Sequence, residues 1–467
     1  MQNSHSKLIL LLTPFILFAA MVTHPVFDDW TYFTMPSNYK LDGFANMLPT
    51  GNHWRPFDAA LGYLLWLKPA LFPWVNHIIV VVGHVINALL LCRIGKIFKL
   101  GSTALYIAVL VFYLSPAMIA TVLNTDSFNQ VYSHLWGFLG LYTYLSYNGR
   151  KKYIIWCATI IIATLCKENG MMWAWATPIL TWGLQKTNKQ ETKRDILIGT
   201  TIMIAYLIVR FSLSQHIINT ESDDYFSTSL LRHIRGVAML IGYSFVPIDY
   251  VSIIHAPTRN ILLASITILL CTPFIFIIIK NTMKADRKLI LSMIAAIILL
   301  ALPHLLTIYS SLHPYASLSI SSILIATIAQ KEKNSKRMIA AFSLYLISMI
   351  ISTGNHWIKS YESGMTGKRL AQEAIAKTRK PVDKVYLINI DTHETKYSSF
   401  CTIPYEAFGW GLAATNETEY KWPERIYVNT IDIKEKKDIS NIINNAHHEG
   451  YQTFWIIEKD SITVLNY

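Results

Sequence analysis

Two adjacent carboxylates, Asp28 and Asp29, directly follow the first long apolar run of the sequence, and aromatic residues stand on both sides of them. The apolar run, residues 8–22, approaches the length that crosses a bilayer. Paired acids at a membrane surface could accept a proton from the hydroxyl of an amphiphilic substrate. They could equally be solvated loop acids beside an interfacial aromatic belt, and this stretch alone leaves the two interpretations balanced.

Three further charged residues could act on a phosphate or support such a site. Arg55 precedes a proline in the segment 52–57, which also contains His53, and its planar guanidinium suits phosphate, although an interfacial anchor is an equal alternative. Lys167 and Glu168 occupy the tip of a predicted hairpin between two apolar spans. They could pair with each other, or Lys167 could neutralise a phosphate while Glu168 orients that lysine or a base.

Histidines form the remaining motif inside an apolar segment. His77 and His84 are seven residues apart, which places them on one face of a helix. They could bind a metal or ligand, but hydrogen bonds to neighbouring helices are the favoured interpretation. Asp126 lies in a predicted outer turn, as a second acid of the site or as a helix N-cap. Later candidates on the same predicted face are Arg232, His313 and Tyr315.

The composition predicts a mainly α, polytopic membrane protein that positions these residues. The 467 residues are 52% hydrophobic and 15% charged, and the apolar residues come in long blocks. The net charge of +12 does not indicate nucleic acid, because the basic residues cluster in short gaps between apolar blocks, as in cytoplasmic loops. The five cysteines show no metal-ligand spacing, so neither a disulfide framework nor a zinc site is predicted.

Apolar length and the positions of Lys and Arg predict about eleven transmembrane helices, with the N-terminus inside and the C-terminus outside. The predicted spans are 8–26, 74–92, 102–120, 130–147, 153–166, 169–184, 196–213, 260–279, 289–308, 316–329 and 338–353. Residues 229–247 are predicted to be an interfacial or re-entrant helix, because a full span there would place the basic residues at 280–288 outside. The first domain is therefore predicted to cover residues 1–354. Residues 355–467 are predicted to form a small α/β domain on the outer face, starting with an amphipathic helix at 355–378.

The order of these motifs resembles the GT-C superfamily of membrane glycosyltransferases, and most of all the branch of protein O-mannosyltransferases with transmembrane and TPR regions. The matching elements are the acid pair at 28–29, Trp54-Arg55-Pro56, His77 and His84, Lys167-Glu168, Phe245 to Tyr250, Leu312 to Ser317 and the segment 353–363. Val80, Ala120 and Phe128 stand where the family usually has other residues, and the TPR repeats are absent. The resemblance covers about residues 8–365.

The resemblance implies transfer of a sugar from a polyprenyl-phosphate donor to a hydroxyl of a surface glycan such as O-antigen, a lipid or a protein. The reaction would be inverting, on the periplasmic face of a bacterial inner membrane, with Asp28 or Asp29 as the base. Donor phosphate would be bound by Arg55, Lys167, His313 and Arg232. Supporting roles would fall to His53, His77, His84, Asp126, Glu168 and Tyr315. No metal site, cofactor or nucleic acid partner is expected, while a divalent cation stays open as an addition.

Two other functions fit a polytopic membrane protein. A transporter or flippase for a lipid-linked sugar would have charges near the bilayer midplane and two repeated halves. A ligase or polymerase of lipid-linked glycans would have a large, arginine-containing outer loop late in the chain. In this sequence the charges follow the outer ends of spans, no repeat is visible and the large outer loop comes first. These features favour the glycosyltransferase.

Overall fold

The computed structural model describes residues 4–23, 47–49, 54–71, 74–123, 127–213, 229–249, 257–306, 309, 313–378, 382, 384–390, 427–433, 438–458 and 461–467. The membrane part consists of the helices α1 (Ser4–Val22), α2 (Pro56–Leu67), α3 (Trp74–Ile97), α4 (Ser102–Leu114), α5 (Pro116–Val122), α6 (Phe128–Ser146), α7 (Gly149–Cys166), α8 (Trp173–Gly183), α9 (Lys189–Leu213), α10 (Leu230–Phe245), α11 (Pro257–Thr282), α12 (Arg287–Leu305), α13 (Tyr315–Ala329) and α14 (Ser335–Thr378). The C-terminal part adds β1 (Lys384–Ile390), β2 (Tyr427–Ile433), α15 (Ile439–His448), β3 (Thr453–Glu458) and β4 (Ser461–Asn466). The mainly helical fold with a small α/β domain is thus confirmed.

Six of the described helices are long and apolar enough to cross a membrane, namely α1, α3, α9, α11, α12 and α14. The shorter helices α4 and α13 are also apolar. Each of the eleven predicted spans contains a helix, and the predicted span 102–120 is divided at Ser115-Pro116 into α4 and α5. The division follows from Pro116, because proline disfavours helical backbone at the residue before it. All side chains of α13 are buried, so this helix lies at the centre of the bundle.

The last long helix differs from prediction. The sequence indicated a span and a separate amphipathic helix, but α14 runs without interruption for 44 residues. At 1.5 Å per residue it is about 66 Å long, roughly twice the apolar thickness of a bilayer. Its final turns therefore belong to the C-terminal domain, where Leu370, Ala374 and Ile375 pack on the sheet. The predicted boundary between residues 354 and 355 falls inside this helix.

A four-stranded sheet in the order β2-β1-β3-β4 forms the C-terminal domain. The strand β1 is parallel to β2 and β3, while β3 and β4 form an antiparallel pair. One face of the sheet packs against the end of α14, and the other packs against α15 through Ile443 and Ala446. The domain is therefore a three-layer α/β unit whose first layer is the extension of a membrane helix.

Candidate active site

The tip of the hairpin between α7 and α8 carries Lys167 and Glu168, as predicted. Lys167 has extended backbone (φ −158°, ψ 140°), and a short 3-10 helix follows at Glu168–Met172. Gly170 makes this tight tip feasible, because a Cβ atom there would lie 2.4 Å from the backbone of Ala163. In extended backbone, neighbouring side chains point to opposite sides, so Lys167 and Glu168 reach different partners.

The partner of Glu168 is Arg55, 113 residues earlier in the chain. Arg55 Nε donates to both carboxylate oxygens at 3.1 Å, and Nη2 donates to Oε2 at 2.8 Å. Pro56 starts α2 and keeps Arg55 outside the helix, where its side chain can turn toward the hairpin. The pair is partly accessible, with side-chain exposures of 20% for Arg55 and 32% for Glu168. Glu168 thus orients the guanidinium through one edge of its plane.

Lys167 is held by a different chain of polar groups. Its Nζ donates to Asn129 Oδ1 at 3.3 Å, and Asn129 Nδ2 donates to Asp58 Oδ2 at 3.3 Å. Asn129 lies in the first turn of α6, and Asp58 lies in the first turn of α2. Both are buried, so a carboxylate stands one amide away from the ammonium group. Three segments of the chain, residues 55–58, the first turn of α6 and the hairpin tip, therefore hold two cations and two carboxylates in one group of contacts.

Two histidines adjoin the hairpin tip on its other side. His304, in the last turn of α12, accepts a hydrogen bond at Nε2 from Asn169 Nδ2 at 3.1 Å. Its ring stacks on His313, with 3.7 Å between the ring centroids. Burial, and then the charges of His304 and Lys167, hold the pKa of His313 well below its ordinary value. His313 is therefore neutral near pH 7 and can donate a hydrogen bond without adding charge.

Other predicted site residues lie deeper in the bundle. His77 and His84 are fully buried in α3. His84 Nδ1 lies 2.8 Å from the hydroxyl of Tyr315, to which Asn87 Nδ2 also donates at 3.1 Å. These are hydrogen bonds between neighbouring helices, the favoured interpretation of the histidine motif. Tyr315 therefore belongs to this interior network rather than to the contacts around Arg55.

Arg232 is half-buried near the start of α10, and Asp28, Asp29, His53 and Asp126 lie outside the described residues. The neighbouring His233 bonds through Nδ1 to the carbonyl oxygen of Leu305 at 2.9 Å, which attaches the start of α10 to the end of α12. This contact brings Arg232 to the end of the helix that carries His304. Within the described part of the chain, no group of three or more His, Cys, Asp or Glu side chains could hold a metal ion.

Three residues that hold the charged and aromatic side chains of the site, two amides and one buried acid, were not predicted. Asn129, Asn169 and Asp58 hold Lys167 or His304, yet each is also a residue type common in helix starts and turns. The available signal was position, because each lies within three residues of an outer turn already marked by a charge or a proline.

A second polar group joins two motifs that the sequence left without a role. Asp249, just after α10, accepts a hydrogen bond from Asn355 Nδ2 at 3.0 Å. Its other oxygen lies 3.4 Å from Nδ1 of His356, and both side chains are 3% exposed. On the same helix, Trp357 Nε1 donates to the carbonyl oxygen of Ala19 at 3.0 Å. These contacts tie α14 to the ends of α10 and α1.

Comparisons with known proteins identify the fold. No family model matches the sequence, and no curated protein matches it significantly. The crystal structure of ArnT from Cupriavidus metallidurans bound to undecaprenyl phosphate matches over 99% of this chain and 98% of that chain, with a TM-score of 0.50 and 9% identity. ArnT is a GT-C family undecaprenyl-phosphate-aminoarabinose transferase. At this identity the match concerns the fold alone, and the chain has a fold like that of ArnT over nearly its whole length.

Proposed function

We propose that the protein is a membrane glycosyltransferase that moves a sugar from a polyprenyl-phosphate donor to an acceptor hydroxyl. One observation carries the proposal: the oriented, partly exposed guanidinium of Arg55 lies at the same hairpin tip as Lys167 in a GT-C fold. Arginine binds phosphate through two parallel hydrogen bonds, and lysine adds a point charge. A lipid-linked phosphate is the donor class that matches both the cations and the membrane fold.

The proposed reaction is a single displacement with inversion at the sugar. The acceptor oxygen attacks the anomeric carbon, and the bond from that carbon to the phosphate oxygen breaks. The electron pair stays on the phosphate, which leaves as polyprenyl phosphate with an added negative charge. Arg55 and Lys167 stabilise this charge, and His313 and Arg232 are secondary candidates. The hydroxyl proton passes to Asp28, with Asp29 as the alternate base, on the periplasmic face of the membrane.

Glu168 acts on Arg55 rather than on the substrate. Its carboxylate fixes the guanidinium through two nitrogens, so less side-chain freedom is lost when phosphate binds. Asn129 has the matching role for Lys167, because its amide oxygen accepts from the ammonium group. The acceptor is proposed to be a surface glycan, a lipid or a protein, and the inner membrane of a bacterium is the proposed location.

Binding of the donor lipid tests the cationic site directly. The purified protein is incubated with undecaprenyl phosphate and examined by native mass spectrometry. We expect retention of the lipid by the protein, and loss of most of it in Arg55→Ala and Lys167→Ala. A matched control, Lys288→Ala, removes a cation from the first turn of α12, at the opposite end of that helix from His304. Equal retention by all variants would exclude the assignment.

Catalysis is tested in cells. Mass spectrometry of surface glycans, glycolipids and glycoproteins with and without the gene identifies the modified molecule. We expect Asp28→Asn to abolish that modification while the protein remains in the membrane. Asp29→Asn, tested in parallel, shows which of the two acids the modification requires. Unchanged modification in both single variants and in the double variant would refute an aspartate base at this position.

A further inference from the structure

Basic side chains gather where the turn between α6 and α7 meets the start of α9, at the predicted inner face. We call this surface the basic turn patch: Arg150, Lys151, Lys152, Lys186, Lys189, Lys193 and Arg194, all exposed or half-exposed. The two acids of the same segments are Glu191 and Asp195, and Asp195 is fully buried. The patch therefore presents a strong positive field to its surroundings.

Tyrosine rings lie beside three of these cations, Lys151, Lys152 and Arg194. The ammonium group of Lys152 lies 4.2 Å from the ring centroid of Tyr144 and 4.6 Å from that of Tyr153. Lys151 lies 4.5 Å from the ring of Tyr147. Exposed lysines usually sample many rotamers, and a ring under the charge restricts them.

Arg194 is held more firmly, although 53% of its side chain is exposed. Its Nε donates to Asp195 at 3.2 Å, and its Nη2 donates to the hydroxyl of Tyr153. Asp195 in turn accepts from the hydroxyl of Tyr144. The buried carboxylate thus orients an exposed guanidinium, which reduces the entropy lost when an anion binds.

Another basic turn shows that charge alone does not produce this order. Lys331, Lys333, Lys336 and Arg337 lie between α13 and α14 or at the start of α14, and all four are exposed. Within the described part of the chain, none of these four lies over an aromatic ring, and Glu332 pairs instead with Asn281 at 3.0 Å. Both surfaces carry an excess of cations, but they differ in how these cations are held.

We propose that the basic turn patch binds the phosphate of an anionic phospholipid from the adjacent leaflet. The lipid, rather than a soluble anion, follows from the surfaces next to the patch. Ile154 on α7 and Leu197 on α9 are 68% and 66% exposed. Each follows a cation by three residues, Lys151 and Arg194 respectively, and residues three apart lie on the same side of a helix. A headgroup bound to Lys151 and Arg194 would place its acyl chains along these two residues. This proposal is independent of the transferred sugar.

Lipid retention in native mass spectrometry tests the proposal. The protein is purified from mixed micelles that contain equal phosphatidylglycerol and phosphatidylcholine. We expect the unaltered protein to retain phosphatidylglycerol. In K151Q/K152Q the affinity for this lipid should fall about fivefold for each charge removed. That variant leaves the contacts of Asp195 in place, and R194K keeps the charge but loses the oriented fork, with a smaller loss. The matched control K333Q/K336Q should retain the lipid.

Three results would overturn the proposal. Equal retention of the two lipids would show that the headgroup charge is not recognised. Equal loss in K151Q/K152Q and K333Q/K336Q would show that net charge, and not the ordered patch, attracts the lipid. Displacement of phosphatidylglycerol by millimolar inorganic phosphate would assign the patch to a soluble anion.

Discussion

The outer group around Arg55 and the interior group around Tyr315 are both built from polar side chains of distant segments, but only the outer group uses formal charges. In the outer group, Arg55 and Glu168 remain 20% and 32% exposed. In the interior group, His84, Asn87 and Tyr315 are fully buried and consist of an imidazole, an amide and a hydroxyl. Charges at membrane depth are far more costly than neutral polar groups, which explains the division.

The two groups also differ in how fully their polar atoms are already used by the protein itself. The interior hydroxyl of Tyr315 is already shared by His84 and Asn87, and Asn87 also donates to the carbonyl oxygen of Val131 at 3.2 Å. Such a network fixes helices α3, α6 and α13 to one another. The outer group holds its cations from one side and keeps partial access to solvent, as a site that exchanges ligands requires. Substitutions should therefore affect activity in one region and stability in the other.

The largest effect is expected from Arg55→Ala. Removing a group that stabilises developing charge typically lowers kcat by about 100- to 1000-fold. Sugar transfer by the purified variant, measured once the acceptor is identified, checks this. The reversed pair R55E/E168R is the control, because a purely structural ion pair tolerates reversal while phosphate binding does not. Recovery of activity in the reversed pair would reduce Arg55 to a structural role.

Gly170→Ala should cause the next largest change. The added Cβ would lie 2.4 Å from backbone atoms of Ala163, which cannot move without opening the hairpin. Crowding of this kind costs about 1–3 kcal/mol. We expect a lower midpoint of thermal unfolding in detergent and weaker donor binding, because Lys167 and Glu168 would be displaced. Gly101→Ala is the control, since a Cβ there meets no atom within 4 Å. Identical midpoints would contradict the close contact.

Tyr315→Phe should lower stability without lowering activity per folded molecule. The change removes the hydroxyl that accepts from Asn87 and bonds His84, leaving two buried groups short of a partner. Interhelical hydrogen bonds in membranes contribute about 1 kcal/mol, so the unfolding midpoint should fall by a few degrees. A large drop in kcat at unchanged stability would instead move Tyr315 into the catalytic site and break the division between the regions.

Much of the fold followed from the sequence, because apolar length and basic gaps are strong signals. They predicted helices in all eleven spans and the hairpin tip at Lys167. The continuity of α14 was missed, since the change to polar composition near residue 355 resembles a boundary. The backbone had no reason to stop there, because no proline occurs between Ser335 and Thr378. A change to polar composition shows where a helix leaves an apolar environment, but it does not show where the helix ends.

The sequence pointed to the charged members of the candidate site but not to the contacts between them. Arg55 and Lys167 were chosen because their charges are unusual beside apolar spans. The contact between Arg55 and Glu168 spans 113 residues and depends on how α2 packs against α7, which periodicity does not reveal. The residue types of Asn129 and Asn169 gave no signal, because neutral amides are ordinary at helix ends, and only their positions near marked turns could have indicated them. A single sequence therefore identifies charged members of a site more readily than the neutral groups that hold them.

The smallest effect is expected from pH, and it tests whether His313 belongs to the outer group. Burial, together with the charges of His304 and Lys167, lowers the pKa of His313 in the folded protein, whereas an unfolded histidine titrates near 6.5. Below about pH 6.5 the imidazole of His313 therefore binds a proton in the unfolded chain but not in the folded protein. The free energy of unfolding should consequently decrease as the pH falls from 7 to 5. His313→Gln should flatten this decrease in unfolding midpoints, and Lys167→Met should flatten it partly. His448→Gln, an exposed histidine on α15, should leave it unchanged. A decrease of equal size in His313→Gln and in the unaltered protein would mean that His313 is not held neutral by the outer group.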